Sequence, residues 1–245
     1  MRLQRWDRSG FDSVQFRSYC ASSSRSGNSQ TGVSLSKHEI QVTVDIVVFT
    51  IYQHRLNVLL IQRGIPPFKW QYALPGGFVL TNETLEAAAF RELREETGTE
   101  NVYLEQLFTF GDPKRDPRGR VVTVAFYALV PSDQSPLLAG TDAAAAGWFP
   151  VDELPSVAFD HHEIIDYAIN RLRNKLEYTT VGFELLPKKF TLTALQVLHE
   201  AILGKALDKR NFRRKILALG LVKATKEMEA TGRKPARLYS FRNAR

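Results

Sequence analysis

Cysteine is all but missing from this chain: 245 residues hold one, Cys20. An intrachain disulfide is thereby excluded, and a reducing, cytoplasmic setting is expected. Long apolar runs are lacking too. None approaches the roughly 20 residues that cross a bilayer, and no secretory leader is visible, so no membrane is expected among the partners. Apolar periodicity is lacking over residues 1–37, where arginine and serine are frequent, and a disordered tail is expected there. That composition also resembles an organelle transit peptide, against which Asp7 and Asp12 count. A start lying upstream of the true one is an equal reading.

Acid is scarce at both ends. Residues 1–37 carry six Lys/Arg against two acids (+4), residues 38–179 twelve against nineteen (−7), and residues 180–245 fifteen against five (+10), for a net charge of +7. An acidic centre followed by a strongly basic segment predicts two domains with different partners, one attracting metal and one a phosphate backbone.

The acid of the centre is concentrated in one place. Residues 77–98 read Gly77-x5-Glu83-x7-Arg91-Glu92-Leu93-Arg94-Glu95-Glu96-Thr97-Gly98. From about Thr84 the run is rich in helix formers, and Gly98 is a natural stop. On a helix Glu92, Glu95 and Glu96 stand at i, i+3 and i+4 and share a face, while Ala89, Phe90 and Leu93 lie on an arc that can meet a core. Crowded carboxylates repel one another, and hard oxygen donors suit Mg²⁺ or Mn²⁺. A solvated Glu-rich helix paired with its own arginines is the plainer alternative, which the preceding Gly-Gly turn and the full spacing disfavour.

These residues resemble the Nudix box, the signature of enzymes that hydrolyse nucleoside diphosphates linked to another group. The single departure is Thr99, where the family carries a bulky aliphatic residue. The resemblance implies that Glu92, Glu95 and Glu96 ligate metal and that Arg91 orients them as part of the catalytic set. It implies further that Gly77 lets the backbone approach the site and that Glu83 supports the loop before the helix. Water would attack a phosphorus of a pyrophosphate. Asp112, Asp116 and Asp142 are weak candidates for the general base.

Around the box, residues 38–51 and 55–63 read as a hairpin turning at Gln53-His54, and 102–110, 121–130 and 145–150 as further strands. Asp160 would cap a helix running to about Glu177, with Ile164, Ile165, Ala168 and Leu172 on its buried side. His161 and His162 invite a metal reading. Neighbours on a helix point about 100° apart, however, which favours a structural role at the helix start. Strands alternating with two helices fit the Nudix α/β/α sandwich with a mixed sheet, over residues 38–180. The segment through Gly111-Asp112-Pro113-Lys114-Arg115 resembles ADP-ribose pyrophosphatase-like Nudix proteins. Substrate phosphates would meet Arg115 or Arg118, or Lys114 or Arg120, and Trp70 or Phe110 would stack on adenine. Core aromatics and a solvated loop are the alternative.

Residues 187–245 read as a small separate module. Thr191 or Thr193 would cap a helix with Leu192, Leu195, Leu198 and Ile202 on its apolar stripe. A second helix begins at Asp208, with Phe212, Ile216 and Leu219 inward and Lys209, Arg210, Arg213, Arg214 and Lys215 outward. Two strands follow, around a tip bearing Arg233 and Lys234, with Arg237 just beyond. This order is that of a winged helix-turn-helix, whose basic helix enters a major groove while the wing contacts backbone or minor groove. A wet face on a protein-docking module is the alternative.

The strings FTLTALQVLHEAILGKALDKRNFRRKIL and GRKPARLYSF, with FDHHEIIDYAINRLRNKLEY before them, resemble the Nudix-related transcriptional regulators, the NrtR family. The resemblance spans about residues 38–243. It implies a dimeric repressor of NAD-metabolism genes that binds a double-stranded operator and is released by ADP-ribose. Many such regulators carry a degraded box. This box is intact, which implies hydrolysis of ADP-ribose to AMP and ribose 5-phosphate alongside sensing. A plain Nudix hydrolase with a docking module at its C-terminus is the competing reading.

Overall fold

The computed structural model of the protein describes residues 39–98, 102–134, 146–230 and 235–242. The expected tail with Cys20, Asp7 and Asp12 lies outside the described residues, as do Thr99, Asp142, Arg233 and Lys234.

The centre is strand β1 (Gln41–Tyr52), which enters β2 (Arg55–Gln62) through Gln53 (φ 48°) and His54 (φ 63°). Two successive positive φ values are what a tight hairpin turn needs to match strand twist. Short strands β3 (Tyr72–Ala73) and β4 (Gly76–Phe78) lead to α1 (Leu85–Thr97). Then come β5 (Tyr103–Phe110), β6 (Val121–Leu129), β7 (Ala146–Pro150) and α2 (His161–Tyr178). The sheet runs β3-β2-β1-β6-β5, with β4 on β1 and β7 on β2. β6 lies parallel to β1 and the other pairings are antiparallel, so the sheet is mixed.

β1 is buried from Thr43 to Thr50, because alternate side chains serve opposite faces. Val44, Ile46 and Val48 join Ala88, Ala89 and Leu93 of α1. Val47 and Phe49 join Ile164, Ile165, Ala168 and Leu172 of α2. The product is a helix–sheet–helix sandwich, the Nudix fold. Phe90 departs from expectation: it is 47% exposed, and Ala88 takes the core position. The buried stripe of α1 is Ala88, Ala89 and Leu93, and Phe90, one residue on from Ala89, is turned about 100° away from it.

The C-terminal part consists of β8 (Phe190–Thr191), α3 (Leu192–Leu203), α4 (Lys209–Ala218), β9 (Val222–Glu229) and β10 (Ala236–Phe241). This is a winged helix whose sheet has order β8-β10-β9. Thr191 caps α3, accepting the Ala194 N–H at 3.0 Å. Leu219 is a second departure. The helix ends at Ala218, so Leu219 turns outward and is 55% exposed, leaving Ile216 and Phe212 to face the small core. α3 serves two cores at once: Leu192 and Leu195 pack with Phe190 and Ile216, while Leu198 and Ile202 belong to the cluster under α2.

Candidate functional site: a Nudix cleft and a basic helix

Local signals build α1. Thr84 Oγ1 accepts the Ala87 N–H at 3.2 Å, and Gly98 closes the helix in the left-handed region (φ 65°) with its N–H on Arg94 O. Such a C-terminal cap favours glycine. Arg91 knits the loop to the helix. It donates to both Glu83 oxygens at 2.8 and 3.1 Å, to Glu92 Oε1 at 2.7 Å and to Phe78 O at 3.2 Å, and it lies 3.5 Å from Glu95. Glu83 also accepts the Leu80 N–H at 2.8 Å. Gly77 leaves the space that Glu92 fills, since a Cβ there would stand 2.2 Å from Glu92 Oε1.

Burial, then the charges of Glu92 and Glu95, push the Glu96 carboxyl above its usual range. That excess negative charge is what a hard divalent cation relieves. Among the described residues, no three His, Cys, Asp or Glu side chains converge into a ready-made cage. Glu92 faces Gly77 and Arg91, whereas the Glu95 side chain is 55% exposed. The donor set nevertheless fits a hard cation, with Glu92, Glu95 and Glu96 as the groups to hold it.

Beside this helix lies a cleft of about 210 Å³, walled by Asp45, Arg63, Gly77, Phe78, Arg115, Arg118, Phe159 and His161 among others. Arg115 forks onto Asp160 at 2.7 and 2.8 Å and reaches Asp45 at 3.2 Å. Its side chain is 3% exposed, and these carboxylates offset the cost of burying it. Asp160 was expected to cap α2. It makes no side-chain cap and gives its carboxylate to Arg115 instead. His161 Nδ1 accepts the Leu74 N–H at 2.9 Å, which places the ring proton on Nε2, 3.5 Å from Asp45. His162 points elsewhere, to Asp166 at 3.2 Å.

Arg118 stands over the rings of Phe78 (5.3 Å) and Phe159 (5.4 Å), and Arg63 over Phe159 at 4.8 Å. Two cleft groups, Arg63 Nη2 and Thr43 Oγ1, are buried and lack a hydrogen-bond partner among the described residues. Such atoms are costly unless a ligand or water satisfies them. The cleft is thus a cationic, aromatic-walled pocket with bonding capacity to spare, suited to an anionic nucleotide.

The other sequence candidates fall variously. Trp70 is 64% exposed, outside the cleft lining, with Lys69 over its ring. Phe110 packs against Phe108 and Tyr167. Lys114 is exposed, and Arg120 is half-buried beside Gly111. Asp112 accepts the Lys114 N–H at 2.7 Å. Burial alone would raise the Asp116 carboxyl, but hydrogen bonds from Arg118 hold it below the usual range, which makes it a weak base. Asp45, Arg63, Phe78 and Phe159 were not singled out from sequence. Asp45, one acid inside an apolar strand, was the available signal.

His161 yields a test of this geometry. Burial holds its imidazole below the ordinary 6.5, with Asp45 and Asp160 opposing only in part. The unfolded chain therefore binds the extra proton first. Stability should fall as pH drops below about 6.5, by at most ~1.4 kcal/mol per pH unit, until the folded value is passed. Thermal melts of the protein and of His161→Gln between pH 7.5 and 5.5 should diverge accordingly, with the variant less pH-sensitive. Parallel curves would mean that His161 is not buried neutral.

A second surface is cationic. Asp208 caps α4 by accepting the Asn211 N–H at 2.8 Å. Lys209, Arg210, Arg214 and Lys215 are exposed, with Arg214 bonded locally to Asn211 Oδ1. Arg213 is half-buried and donates to Thr193 Oγ1 at 2.9 Å, tying α4 to the start of α3. Arg237 is exposed on β10. The described residues thus set four exposed cations on α4, while the fifth fastens the helix.

Fold and site together define a Nudix-fold protein that carries a winged helix. A model of the NUDIX domain matches residues 40–171, and a model of the NrtR DNA-binding winged helix domain matches residues 182–241. The chain is 41% identical over 206 residues to the ADPR responsive transcriptional repressor NtrR of Acinetobacter baylyi, covering 82% of this chain and 81% of that one. The structure is similar to Shewanella oneidensis NrtR complexed with a 27mer DNA, at TM-score 0.74 and 37% identity, over 82% of this chain and 93% of that one. An ADP-ribose pyrophosphatase of Methanocaldococcus jannaschii is 41% identical over 134 residues, 54% of this chain and 78% of that one. The chain belongs to the NrtR family of Nudix-related regulators.

Proposed function

We propose that the protein is an ADP-ribose-responsive transcriptional repressor of NAD-metabolism genes that also hydrolyses ADP-ribose. Residues 38–180 would hold the nucleotide, and residues 187–245, as a dimer, would read a palindromic operator in the cytoplasm. One observation carries this reading: an intact Nudix helix beside a cationic cleft shares its chain with an exposed basic helix on a winged fold. The resemblance to a regulator described as ADPR responsive and to a relative complexed with DNA supports it.

The pyrophosphate would lie among Arg63 and Arg118 with Gly77 beside it, and Phe78 or Phe159 would offer a ring face to adenine. Arg118 is paired with Asp116 at 2.6 Å but keeps 36% of its side chain exposed, whereas Arg115, 3% exposed on Asp45 and Asp160, would shape the cleft rather than grip phosphate. Glu92, Glu95 and Glu96 would hold Mg²⁺ or Mn²⁺, which supplies charge neutralisation and a more acidic water. From its fork on Glu83, Arg91 holds Glu92 and reaches Glu95. Attack by water on one phosphorus would release AMP and ribose 5-phosphate.

Selection of binding sites from random duplexes tests the DNA half. A palindrome with half-sites about one helical turn apart is expected. No enrichment at moderate salt would leave a hydrolase with a docking module.

A further inference from the structure

Helix α2 begins in the cleft. Three consecutive side chains at its start are engaged there: Phe159 lies against Arg63 and Arg118, Asp160 binds Arg115, and His161 sits between Leu74 N and Asp45. Phe159 holds a left-handed backbone (φ 55°). A bulky residue rarely adopts that region and persists there only where its surroundings fix it.

The other end of α2 meets the winged helix. Arg173 Nε donates to Ile202 O at 2.8 Å, one of the last carbonyls of α3. Just beyond α2 the backbone at Gly182 wedges between Leu176 and Leu198, where a Cβ would stand 2.7 and 3.2 Å from their methyls. α3 in turn holds α4 through Thr193 and Arg213, and it holds the turn between them through Glu200, which accepts the Leu207 N–H at 2.8 Å. Asp160 and Arg173 are separated by about 20 Å of continuous helix.

We propose that α2 is the element through which cleft occupancy reaches the DNA-reading helix, with Phe159-Asp160-His161 as its sensing end and Arg173 as its output contact. The inference rests on the ligand-responsive reading above and names its route. A nucleoside diphosphate held by Arg63 and Arg118 brings negative charge up to Asp45 and Asp160, which opposes the pairing of Asp160 with Arg115. The ligand thereby interacts differently with the two settings of the α2 start, which is what a population shift requires. Close packing at Gly182 leaves little slack to absorb the movement.

The test uses the full chain in a Glu96→Gln background, which keeps ADP-ribose intact. The selected operator is titrated with and without saturating ADP-ribose. The ligand should weaken DNA binding roughly 10-fold or more. Arg173→Gln should leave each separate affinity within about two-fold yet cut that factor at least five-fold. Asp160→Asn should shift the ligand-free DNA affinity toward the liganded value. If both folded variants keep the full factor, the α2 route is wrong and the sensor stands. If ADP-ribose binds the parent chain without changing DNA affinity, the sensor reading falls and the route with it.

Discussion

Glu96→Gln should lower Mg²⁺-dependent turnover of ADP-ribose by more than about 100-fold while the protein stays folded. Loss of a group that merely supports a ligand costs 10- to 100-fold, and Glu96 is proposed to be a ligand itself. Its carboxyl is raised by burial and by the charges of Glu92 and Glu95, so neutralising it relieves repulsion in the metal-free protein. Melting temperature without metal should therefore hold or rise, while the stabilisation gained from added Mg²⁺ should shrink. Glu83→Gln is the contrast. Glu83 anchors Arg91 through both oxygens and accepts the Leu80 N–H, so its loss loosens the segment between β4 and α1 and should cost both activity and stability. Retained turnover in Glu96→Gln would remove the proposed ligand set.

Arg210→Ala combined with Arg214→Ala should weaken operator binding by about 10-fold or more and lower its salt dependence. Each lost phosphate contact removes about 0.9 from the slope of log K against log salt, so the pair should remove roughly 1.8. Both side chains are exposed on α4. Arg213→Ala should behave differently. Its guanidinium is spent on Thr193, and its Nε is buried without a partner among the described residues. Its loss should lower the melting temperature and leave the slope nearly unchanged. A slope that falls with Arg213 but not with Arg210 and Arg214 would turn the reading face around.

The contrast between these arginines marks the limit of what the sequence conveys. Helix α1 was legible because its determinants are local: Thr84 at one end, Gly98 at the other, and carboxylates at fixed helical spacing between them. The strands of the central sheet and the buried stripe of α2 were legible from their apolar periods. The cleft was not, because its parts meet over long separations. Asp45, Arg115 and Asp160 are spread along most of the Nudix domain, and nothing near any of them in sequence announces the other two. Asp160 looked like a helix cap because the residue type suits one, and a tertiary guanidinium took precedence. Strand β8 escaped because two residues carry no period. Leu219 was set inward by spacing, but the helix stopped before reaching it.

The most direct test of the account is fluorescence anisotropy of a labelled operator duplex with purified protein and Mg²⁺, titrating ADP-ribose. Sequence-selective, salt-sensitive binding that ADP-ribose weakens, and that recovers as the nucleotide is hydrolysed, is the predicted result. Selective binding that ADP-ribose leaves untouched, or no selective binding at all, would contradict it.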